Sequence, residues 1–454
     1  MSTVRIANGQ AFWGDSPSAP IAQVRGGEID YLTLDYLAEI TMSVLRKQHE
    51  RDPSAGYARD FVELMSEIML ECIQKDIKVI ANAGGVNPEG CAQALLDVAV
   101  SQGISGLRVG VVTGDNIVGK LDDLVHQGVS LQNMDTGQRF EEVSDRIASA
   151  NAYLGAEPIA RALAEGANVV VTGRCTDPGL VLGPLVHEFG WRWDDWDLLA
   201  AGTVAGHTIE CGAQATGGNF QGGWQTMRDL AHVGYPVIEV SADGSFVVTK
   251  HPGTGGAVTT ATVTEQLLYE LGNPTTYLSP DVTADFTGLQ VREVGEDRVE
   301  VTGARGRPPT DSLKVSMAYS DGYQGSAMIT YAWPDAVAKA RLADEILRTR
   351  IDDLGLSFRE MRTDLVGYGS VHGPVVPPEA SETSELVLRV SVWADEQRTV
   401  SRFAAEIAPL VMGPPGFTGL LAGGRIRPSL VMAYWPTLIP KSVVDPQVTV
   451  RDGI

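Results

Sequence analysis

Residues 1–200 alternate short, continuous apolar runs with longer stretches whose apolar positions recur at helical spacing. The apolar runs predict buried strands, because strands of a parallel sheet are covered on both faces. The predicted strands are Val4–Ala7, Tyr31–Leu34, Lys78–Ala81, Leu107–Val112 and Asn168–Val171. The predicted helices are Leu37–Gln48, Ala58–Gln74, Pro88–Gln102, Gly119–Gln127, Ala156–Glu165 and Pro178–Phe189. This order predicts a mostly parallel α/β sheet with helices on both faces.

From Pro236 onward the pattern changes to strict alternation of apolar and polar residues, which is typical of antiparallel strands and hairpins. The predicted strands are Pro236–Val240, Ser245–Lys250, Leu289–Glu293, Arg298–Thr302, Leu313–Tyr319, Ser326–Ala332 and Ser384–Ala394, with turns at residues 243–244 and 321–322. The predicted helices are Val258–Leu271, Pro334–Leu347 and Arg398–Leu410. The sequence therefore predicts two domains: an α/β domain over residues 1–235 that carries the site, and an α+β domain over residues 236–454 with glycine-rich loops, among them residues 413–424.

Composition limits the classes of partner. The 454 residues carry a net charge of −22 at pH 7, whereas nucleic-acid-binding proteins carry a basic surface, so no nucleic-acid partner is expected. The N-terminus has no signal-peptide pattern and no apolar run is long enough to span a bilayer, so we expect a cytoplasmic protein without a membrane partner. Four cysteines without a CxxC pair indicate reduced thiols. A homo-oligomer is expected, because most oligomers are of that kind.

Glycines and polar residues follow four of the predicted parallel strands. In open parallel sheets, ligands bind outside the carboxyl ends of the strands, so these residues are candidates for substrate binding. They are Asn8, Asp15, Asn82, Gly84, Asp115, Arg174 and Asp177. The alternative is that they only form turns, that Asp177 caps the helix that begins at Pro178, and that Arg174 pairs with a carboxylate instead of binding an anionic substrate.

The segment around His207 contains the residues best suited to chemistry. If residues 198–211 are helical, His207 shares a face with both Glu210 and Cys211. An imidazole with a carboxylate can act as a general acid or base, and an imidazole beside a thiol can activate a nucleophile. Gln214, Gly217 and Gly218 follow, and their backbone N–H groups are candidates for binding an oxyanion. The alternative is a buried thiol and a core histidine.

A second glycine-rich loop, residues 250–256, precedes a predicted helix. Gly255 and Gly256 are candidates for binding a phosphate or a carboxylate at the helix N-terminus, and the alternative is a plain turn. The loop matches neither a P-loop nor the GxGxxG pattern, so nicotinamide and flavin have little support. No histidine pattern predicts a zinc site. Whether a divalent ion binds between Asp15, Asp115 and Glu210 is left open.

These motifs resemble the acyclic terpene utilisation (AtuA) family. The resemblance rests on eight segments that are spread along the chain, so it extends over nearly the whole sequence. They are NGQAFWGD (8–15), NAGG (82–85), GDN (114–116), GRCTDPGLVLGPLVHEFGW (173–191), AGHTIECGAQATGGNF (205–220), KHPGTGG (250–256), TEQLLYE (264–270) and MGPPGFTG (412–419). The resemblance implies a place in the degradation of acyclic isoprenoids and branched acids through coenzyme A thioesters.

Residues and resemblance together predict an enzyme that acts on a branched or isoprenoid-like acyl compound, an acyl-CoA or another thioester. The predicted reaction is hydration, dehydration or carbon–carbon cleavage, with His207 and Glu210 as base and partner and Arg174 as the anchor. No cofactor is required, and coenzyme A is a possible part of the substrate. The alternatives are an acyl transferase or thioester hydrolase with Cys211 as nucleophile, and a non-catalytic partner subunit.

Overall fold

The computed structural model describes residues 3–375, 383–410, 413–420 and 426–453. The strands are β1 (Thr3–Gln10), β2 (Tyr31–Leu34), β3 (Lys78–Ala81), β4 (Arg108–Thr113), β5 (Ile147–Ala152), β6 (Val169–Thr172), β7 (Pro236–Ser241), β8 (Phe246–Lys250), β9 (Tyr277–Leu278), β10 (Thr283–Asp285), β11 (Gln290–Gly295), β12 (Arg298–Thr302), β13 (Arg305–Arg307), β14 (Ser312–Ala332), β15 (Glu360–Val366), β16 (Glu385–Ala394), β17 (Gly419–Leu420), β18 (Ser429–Pro440) and β19 (Gln447–Asp452). The α-helices are α1 (Ser18–Gly26), α2 (Glu39–Arg51), α3 (Arg59–Gln74), α4 (Pro88–Gln102), α5 (Leu121–His126), α6 (Glu157–Ala164), α7 (Gly179–Phe189), α8 (Trp196–Ile209), α9 (Thr260–Leu268), α10 (Ala336–Asp353) and α11 (Gln397–Ile407).

The protein is a mixed α/β structure built on a ten-stranded sheet in the order β11-β12-β8-β7-β1-β2-β3-β6-β4-β19. Its centre, β1-β2-β3-β6-β4, is parallel throughout. These five strands are the ones predicted from the apolar runs of residues 1–200, and each predicted strand overlaps its observed counterpart. The parallel centre of the sheet is therefore predictable from the continuous apolar pattern.

Helices cover the parallel strands on both faces. Val109 and Val111 in β4 belong to a buried cluster that includes residues of α3 and α4. Gly110 points to the other face, because neighbouring residues of a strand alternate. A Cβ atom at Gly110 would lie 2.9 Å from the Cβ atom of Ala162 in α6, so the glycine permits close packing of that helix.

Four of the antiparallel strands predicted after residue 235, namely β7, β8, β11 and β12, belong to the same sheet as the parallel ones. β7 pairs antiparallel with β1, and β8 and β12 continue the sheet from β7. Contacts divide the chain into one unit of Met1–Ala318 with Tyr434–Ile454 and another of Tyr319–Ala433. The predicted division at residue 235 differs from this, because the change of pattern at Pro236 marks a change in strand pairing and not the end of a compact unit.

The unit Tyr319–Ala433 contains a sheet in the order β15-β16-β14-β17. Alternate residues of β16 are buried, and they pack with residues of α10 and α11 in a separate hydrophobic cluster. The predicted turn at residues 321–322 is wrong, because β14 is continuous there and pairs with β16 from Tyr323 to Ala332. Residues 421–424 of the predicted glycine-rich loop lie outside the described residues.

Candidate active site

A cavity of about 530 Å³ lies where β2 and β6 end. Asp35 is the first residue after β2, and Arg174 follows β6 by two positions, so the cavity is at the carboxyl end of the parallel strands. The lining combines carboxyl groups, one guanidinium group, a thiol and apolar side chains. It consists of Ala11, Phe12, Asp35, Leu37, Ala38, Arg174, Asp177, Glu210, Cys211, Gln214, Tyr269 and Glu270.

Arg174 is the central cation of this cavity. Its side chain is 3% exposed, and its Nη1 donates to the carbonyl oxygen of Leu37 at 2.7 Å and to Oδ1 of Asp177 at 2.6 Å. The guanidinium carbon lies 4.2 Å from the centre of the Tyr153 ring, and Nε is buried without a hydrogen-bond partner among the described residues. Burial alone would lower the pKa of Arg174, but Asp177, Tyr153 and Asp35 raise it well above the usual value. The side chain is therefore a fixed positive charge.

Asp115 binds the backbone of Arg174 and does not line the cavity. Its Oδ2 accepts from the backbone N–H of Arg174 at 2.9 Å and from Nδ2 of Asn151 at 2.8 Å. Burial raises the pKa of Asp115 to about 6. Gly173 is needed beside it, since a Cβ atom there would lie 2.3 Å from Oδ1 of Asp115. The predicted substrate contact at Asp115 is thus replaced by a supporting role.

Asp35 is held in the cavity by Asn82. Nδ2 of Asn82 donates to Oδ1 of Asp35 at 2.7 Å, and the backbone N–H of Leu37 donates to the same oxygen at 3.2 Å. The Oδ2 atom of Asp35 forms no hydrogen bond within the part of the chain that the structure describes. Burial, followed by the nearby charge of Asp177, raises the pKa of Asp35 well above its usual value. Asn82, a predicted site residue, therefore acts through Asp35.

Asp35 is not among the predicted site residues, although the predicted bounds of β2 match the observed ones. The rule applied to the other parallel strands, that polar residues at strand ends face a shared crevice, also selects Asp35. Tyr269 and Glu270 were missed too. Both line the cavity just after α9, and Glu270 has a positive φ of 55°, which is uncommon for a residue other than glycine.

His207 and Glu210 form a pair at the end of α8. The three-residue spacing places them on one helix face, and Nδ1 of His207 lies 2.9 Å from Oε1 of Glu210. Glu210 lines the cavity, whereas His207 is 2% exposed and packs against the rings of Tyr277 and Phe286 at centroid distances of 5.5 and 5.6 Å. Glu210 is the pocket-facing member of the pair, and His207 stands behind it.

The two members of this pair shift each other's pKa. Burial raises the pKa of Glu210, and His207 partly offsets that rise. Burial lowers the pKa of His207, but Glu210, the backbone of Leu267 and Glu270 together outweigh burial, and the net shift is upward. Oε2 of Glu210 is buried and has no hydrogen-bond partner among the described residues. Glu210 therefore offers one oxygen that is held by His207 and one that is unbonded.

Cys211 lines the cavity next to Glu210. Burial, together with the Glu210 charge, raises the pKa of its thiol to about 12, so the thiol is protonated at neutral pH. Gln214 also lines the cavity. Gly217 and Gly218 donate their backbone N–H groups to the carbonyl oxygens of Gln214 and Ala213, at 3.2 and 2.8 Å. The turn already uses both N–H groups, so these hydrogen bonds do not favour the predicted oxyanion contact at the two glycines.

Asn8 and Asp15 lie outside the lining. Asn8 is within β1, and its Nδ2 donates to the carbonyl oxygen of Gln10 at 3.1 Å. Asp15 accepts from the backbone N–H of Ala11 at 2.9 Å and from the Tyr235 hydroxyl at 2.6 Å. Asp15 thus shapes the loop that carries Ala11 and Phe12 to the cavity.

Gly84, Gly255 and Gly256 serve packing. A Cβ atom at Gly84 would lie 2.6 Å from the carbonyl oxygen of Thr172, and one at Gly255 would lie 1.9 Å from that of Asp229. The N–H groups of Gly255 and Gly256 donate to the carbonyl oxygens of His232 and Arg228, both at 2.8 Å. The predicted anion contact at residues 255–256 is therefore replaced by a hydrogen-bonded turn.

The family model described as "Acyclic terpene utilisation family protein AtuA" matches residues 4–450. The chain belongs to the AtuA family. No curated protein and no solved structure matches the chain. Membership associates the protein with acyclic terpene utilisation, and the matched range includes every residue that lines the cavity.

Within this AtuA chain, the described residues contain no group of three or more His, Cys, Asp or Glu that is arranged to hold a metal ion. Arg174 is the one lysine or arginine in the cavity lining as described, so the lining offers no second cation for a phosphate group. All four cysteines are free thiols, as predicted. The helices of the described residues include none that is long and apolar enough to cross a membrane.

Proposed function

We propose that this AtuA protein is an enzyme that moves protons on a branched or isoprenoid-like acyl thioester, in a hydration, dehydration or carbon–carbon lyase reaction. The observation that carries the proposal is the Glu210–His207 pair, with 2.9 Å between Oε1 and Nδ1 and an unbonded Oε2 in the cavity lining. A carboxylate oriented in this way is suited to remove a proton from the carbon next to a carbonyl group. Family membership supplies the branched isoprenoid skeleton.

Charge supports a thioester over a free acid as the substrate. Four carboxyl groups, Asp35, Asp177, Glu210 and Glu270, line the cavity with a single guanidinium group. A carboxylate substrate would meet like charges in a low-dielectric site, which is unfavourable. The carbonyl group of a thioester carries no charge, so it avoids this repulsion. A coenzyme A carrier would place its phosphates outside the lining.

The apolar part of the lining suits a branched hydrocarbon chain. Ala11, Phe12, Leu37 and Ala38 supply apolar surface, and Phe12 is 57% exposed. Burial of such surface against an alkyl chain is favourable by about 25 cal/mol per Å². A volume of about 530 Å³ is in the ordinary range for a small-molecule site.

In the proposed reaction, Glu210 removes the proton on the carbon α to the thioester carbonyl. His207 donates from Nδ1 to Oε1 and fixes the carboxylate, so it is a positioning residue. Negative charge then develops on the carbonyl oxygen. Arg174, with a buried and unpartnered Nε, is the donor available to stabilise that charge in place of the predicted glycine N–H groups.

The state of Cys211 favours this chemistry over nucleophilic catalysis. A cysteine nucleophile reacts as the thiolate, and reactive cysteines lie where positive charge lowers their pKa. Around Cys211, burial and the charges of Glu210 and Glu270 raise the pKa to about 12. The acyl-transfer alternative therefore has less support.

Purified protein should be incubated with branched 3-hydroxyacyl thioesters, the corresponding 2,3-unsaturated thioesters and the matching free acids. We expect the thioesters to be hydrated, dehydrated or cleaved and the free acids to remain unchanged, with products followed by mass spectrometry. A variant at an exposed glutamate outside the cavity, Glu165→Gln, should retain this activity. Absence of turnover with every thioester, by protein that remains folded, would contradict the proposed function.

A further inference from the structure

Asp35 is a second carboxyl group with the same arrangement as Glu210. One oxygen, Oδ1, accepts from Asn82 at 2.7 Å and from the backbone N–H of Leu37 at 3.2 Å, while Oδ2 has no hydrogen-bond partner in the described part of the chain. The side chain is 5% exposed and lines the cavity. Oδ2 is therefore the oxygen of Asp35 that remains available to a ligand in the cavity, as an acceptor when ionised and as a donor when protonated.

The hydrogen bonds distinguish the two oxygens of Asp35. Both neighbours of Oδ1 are N–H donors, so that oxygen is an acceptor. A proton on the group must therefore reside on Oδ2, the oxygen that is free to face a ligand. Burial and the nearby Asp177 charge favour this protonated form, since they raise the pKa of Asp35.

Asp35 and Glu210 differ in the partner that holds each one. A neutral amide and a backbone N–H hold Asp35, whereas an imidazole that carries positive charge when protonated holds Glu210. Burial raises the pKa of both groups, but at Glu210 the directly bonded His207 offsets part of that rise, so of the two Glu210 is the better candidate for the base and Asp35 for the acid.

We propose that Asp35 is the general acid of the cavity and protonates the leaving hydroxyl group of a branched 3-hydroxyacyl thioester; this rests on the proposed function. Glu210 takes the proton from the α carbon, whose C–H electron pair forms the new carbon–carbon π bond. The bond from the β carbon to oxygen breaks, its electron pair leaves with the oxygen, and the proton on Oδ2 of Asp35 converts the departing hydroxyl group to water. Proton exchange with solvent then restores both carboxyl groups, and in hydration every step is reversed.

The test compares two thioesters, one with a 3-hydroxyl group and one with a 3-chloro group, with the uncatalysed rate subtracted. Chloride leaves without a proton, so only the hydroxyl compound needs an acid. For Asp35→Asn we expect a fall of about 10²–10⁴-fold with the hydroxyl compound and a fall of less than about fivefold with the chloro compound. For Glu210→Gln we expect the rate to fall by about 10²–10⁴-fold with both the hydroxyl and the chloro compound.

Asparagine keeps an oxygen that can accept from Asn82 and Leu37, so Asp35→Asn should fold, and a thermal unfolding curve checks this. The matched control is Asp281→Asn, a half-buried carboxyl group outside the cavity that accepts from the backbone N–H of Ala156 at 3.0 Å and whose pKa burial also raises. Equal losses with both thioesters for folded Asp35→Asn, or unchanged activity with the hydroxyl compound, would overturn the assignment of Asp35. Wild-type protein that converts neither compound would overturn the proposed function and the inference with it.

Discussion

Two buried aspartates, one in each compact unit, show how differently the protein uses a carboxyl group. Asp364 in β15 is 9% exposed; Oδ1 accepts from Arg362 at 3.0 Å and Oδ2 from Arg389 at 2.8 Å. Asp35 is 5% exposed, yet only its Oδ1 is hydrogen-bonded. The pKa of Asp364 is lowered by Arg389 first, against an opposing effect of burial, whereas burial raises the pKa of Asp35.

The comparison separates carboxyl groups that support the fold from those that are available for chemistry. Burial alone does not distinguish Asp364 from Asp35, because both are almost fully covered. The two residues differ in the number of carboxyl oxygens that accept a hydrogen bond. Glu210 follows the pattern of Asp35, with one oxygen bound by His207 and the other unbonded. We therefore expect substitutions at Glu210 and Asp35 to change activity, and substitutions at Asp364 to change stability.

The largest expected effect is on turnover in Glu210→Gln. Glutamine keeps the size of the side chain and can still accept from His207, but it cannot take a proton, so kcat should fall about 10²–10⁴-fold. The measurement is the steady-state rate with a branched 3-hydroxyacyl thioester. Asp364→Asn, assayed in parallel, should retain the wild-type rate. A Glu210→Gln enzyme with unchanged kcat would remove Glu210 from the mechanism.

The second effect is on the pH profile in His207→Ala. His207 lowers the pKa of Glu210, so its removal raises that pKa. A base works in its ionised form; the acidic limb of the kcat profile should therefore move to higher pH, with kcat about 10–100-fold lower at neutral pH. His207→Asn keeps a donor close to the position of Nδ1 and should restore part of the loss. A purely structural role would leave the limb in place in both variants.

The third effect is on stability and has opposite signs at the two aspartates. The pKa of Asp35 is higher in the folded state than in the unfolded state, so ionisation of Asp35 opposes folding once the pH rises above the unfolded-state pKa. Asp35→Asn removes this ionisation and should therefore stabilise the protein at pH 7 by about 1–2 kcal/mol. The pKa of Asp364 is lower in the folded state than in the unfolded state. Its contribution to folding stability is therefore present above the unfolded-state pKa and is lost as the pH falls through the folded-state pKa. Because its arginines are partly exposed, Asp364→Asn should cost only about 1 kcal/mol at pH 7.

Denaturant unfolding at pH 7 and at pH 4 measures both effects. The stabilisation from Asp35→Asn should shrink at the lower pH, where the carboxyl group is protonated in the folded state and partly protonated in the unfolded state. Two variants with the same sign at pH 7 would contradict the comparison.

The smallest effect is expected at Cys211. A thiol whose pKa is about 12 is not a thiolate at neutral pH, so Cys211→Ser should change kcat by less than about fivefold, or about 1 kcal/mol in barrier height. Labelling of the wild-type thiol by iodoacetamide at pH 7 should be slow, with the modified peptide identified by mass spectrometry. Rapid labelling of Cys211 with stoichiometric loss of activity would instead favour the acyl-transfer mechanism.

The parallel centre of the sheet was predictable because its strands are apolar on both faces and each is followed by an amphipathic helix. Eight strands, β5, β9, β10, β13, β15, β17, β18 and β19, were not predicted, and β14 was divided by the Asp321–Gly322 pair. Gly322 has a positive φ of 78° inside the strand, and a Cβ atom there would lie 2.5 Å from the carbonyl oxygen of Ala394. The glycine permits close strand contact, and a sequence pattern alone does not distinguish that from a turn.

The site was predictable where a strand end or a helix face places a side chain. Arg174, at the end of β6, and Glu210, three residues after His207, line or support the same cavity. What sequence does not reveal is which donors are already used. The N–H groups of Gly217 and Gly218 bind carbonyl oxygens of their own turn, and that follows only from coordinates. The stacking of Arg174 on Tyr153 likewise depends on chain segments that are not adjacent.

The most direct test of the account is proton exchange at the α carbon of a branched acyl thioester in D₂O, followed by NMR. This measurement does not depend on which bond is broken later in the reaction. The account predicts that wild-type protein incorporates deuterium at the α carbon, that Asp35→Asn still does so, and that Glu210→Gln does not. Undiminished exchange in Glu210→Gln, or no exchange with the wild-type protein, would contradict it.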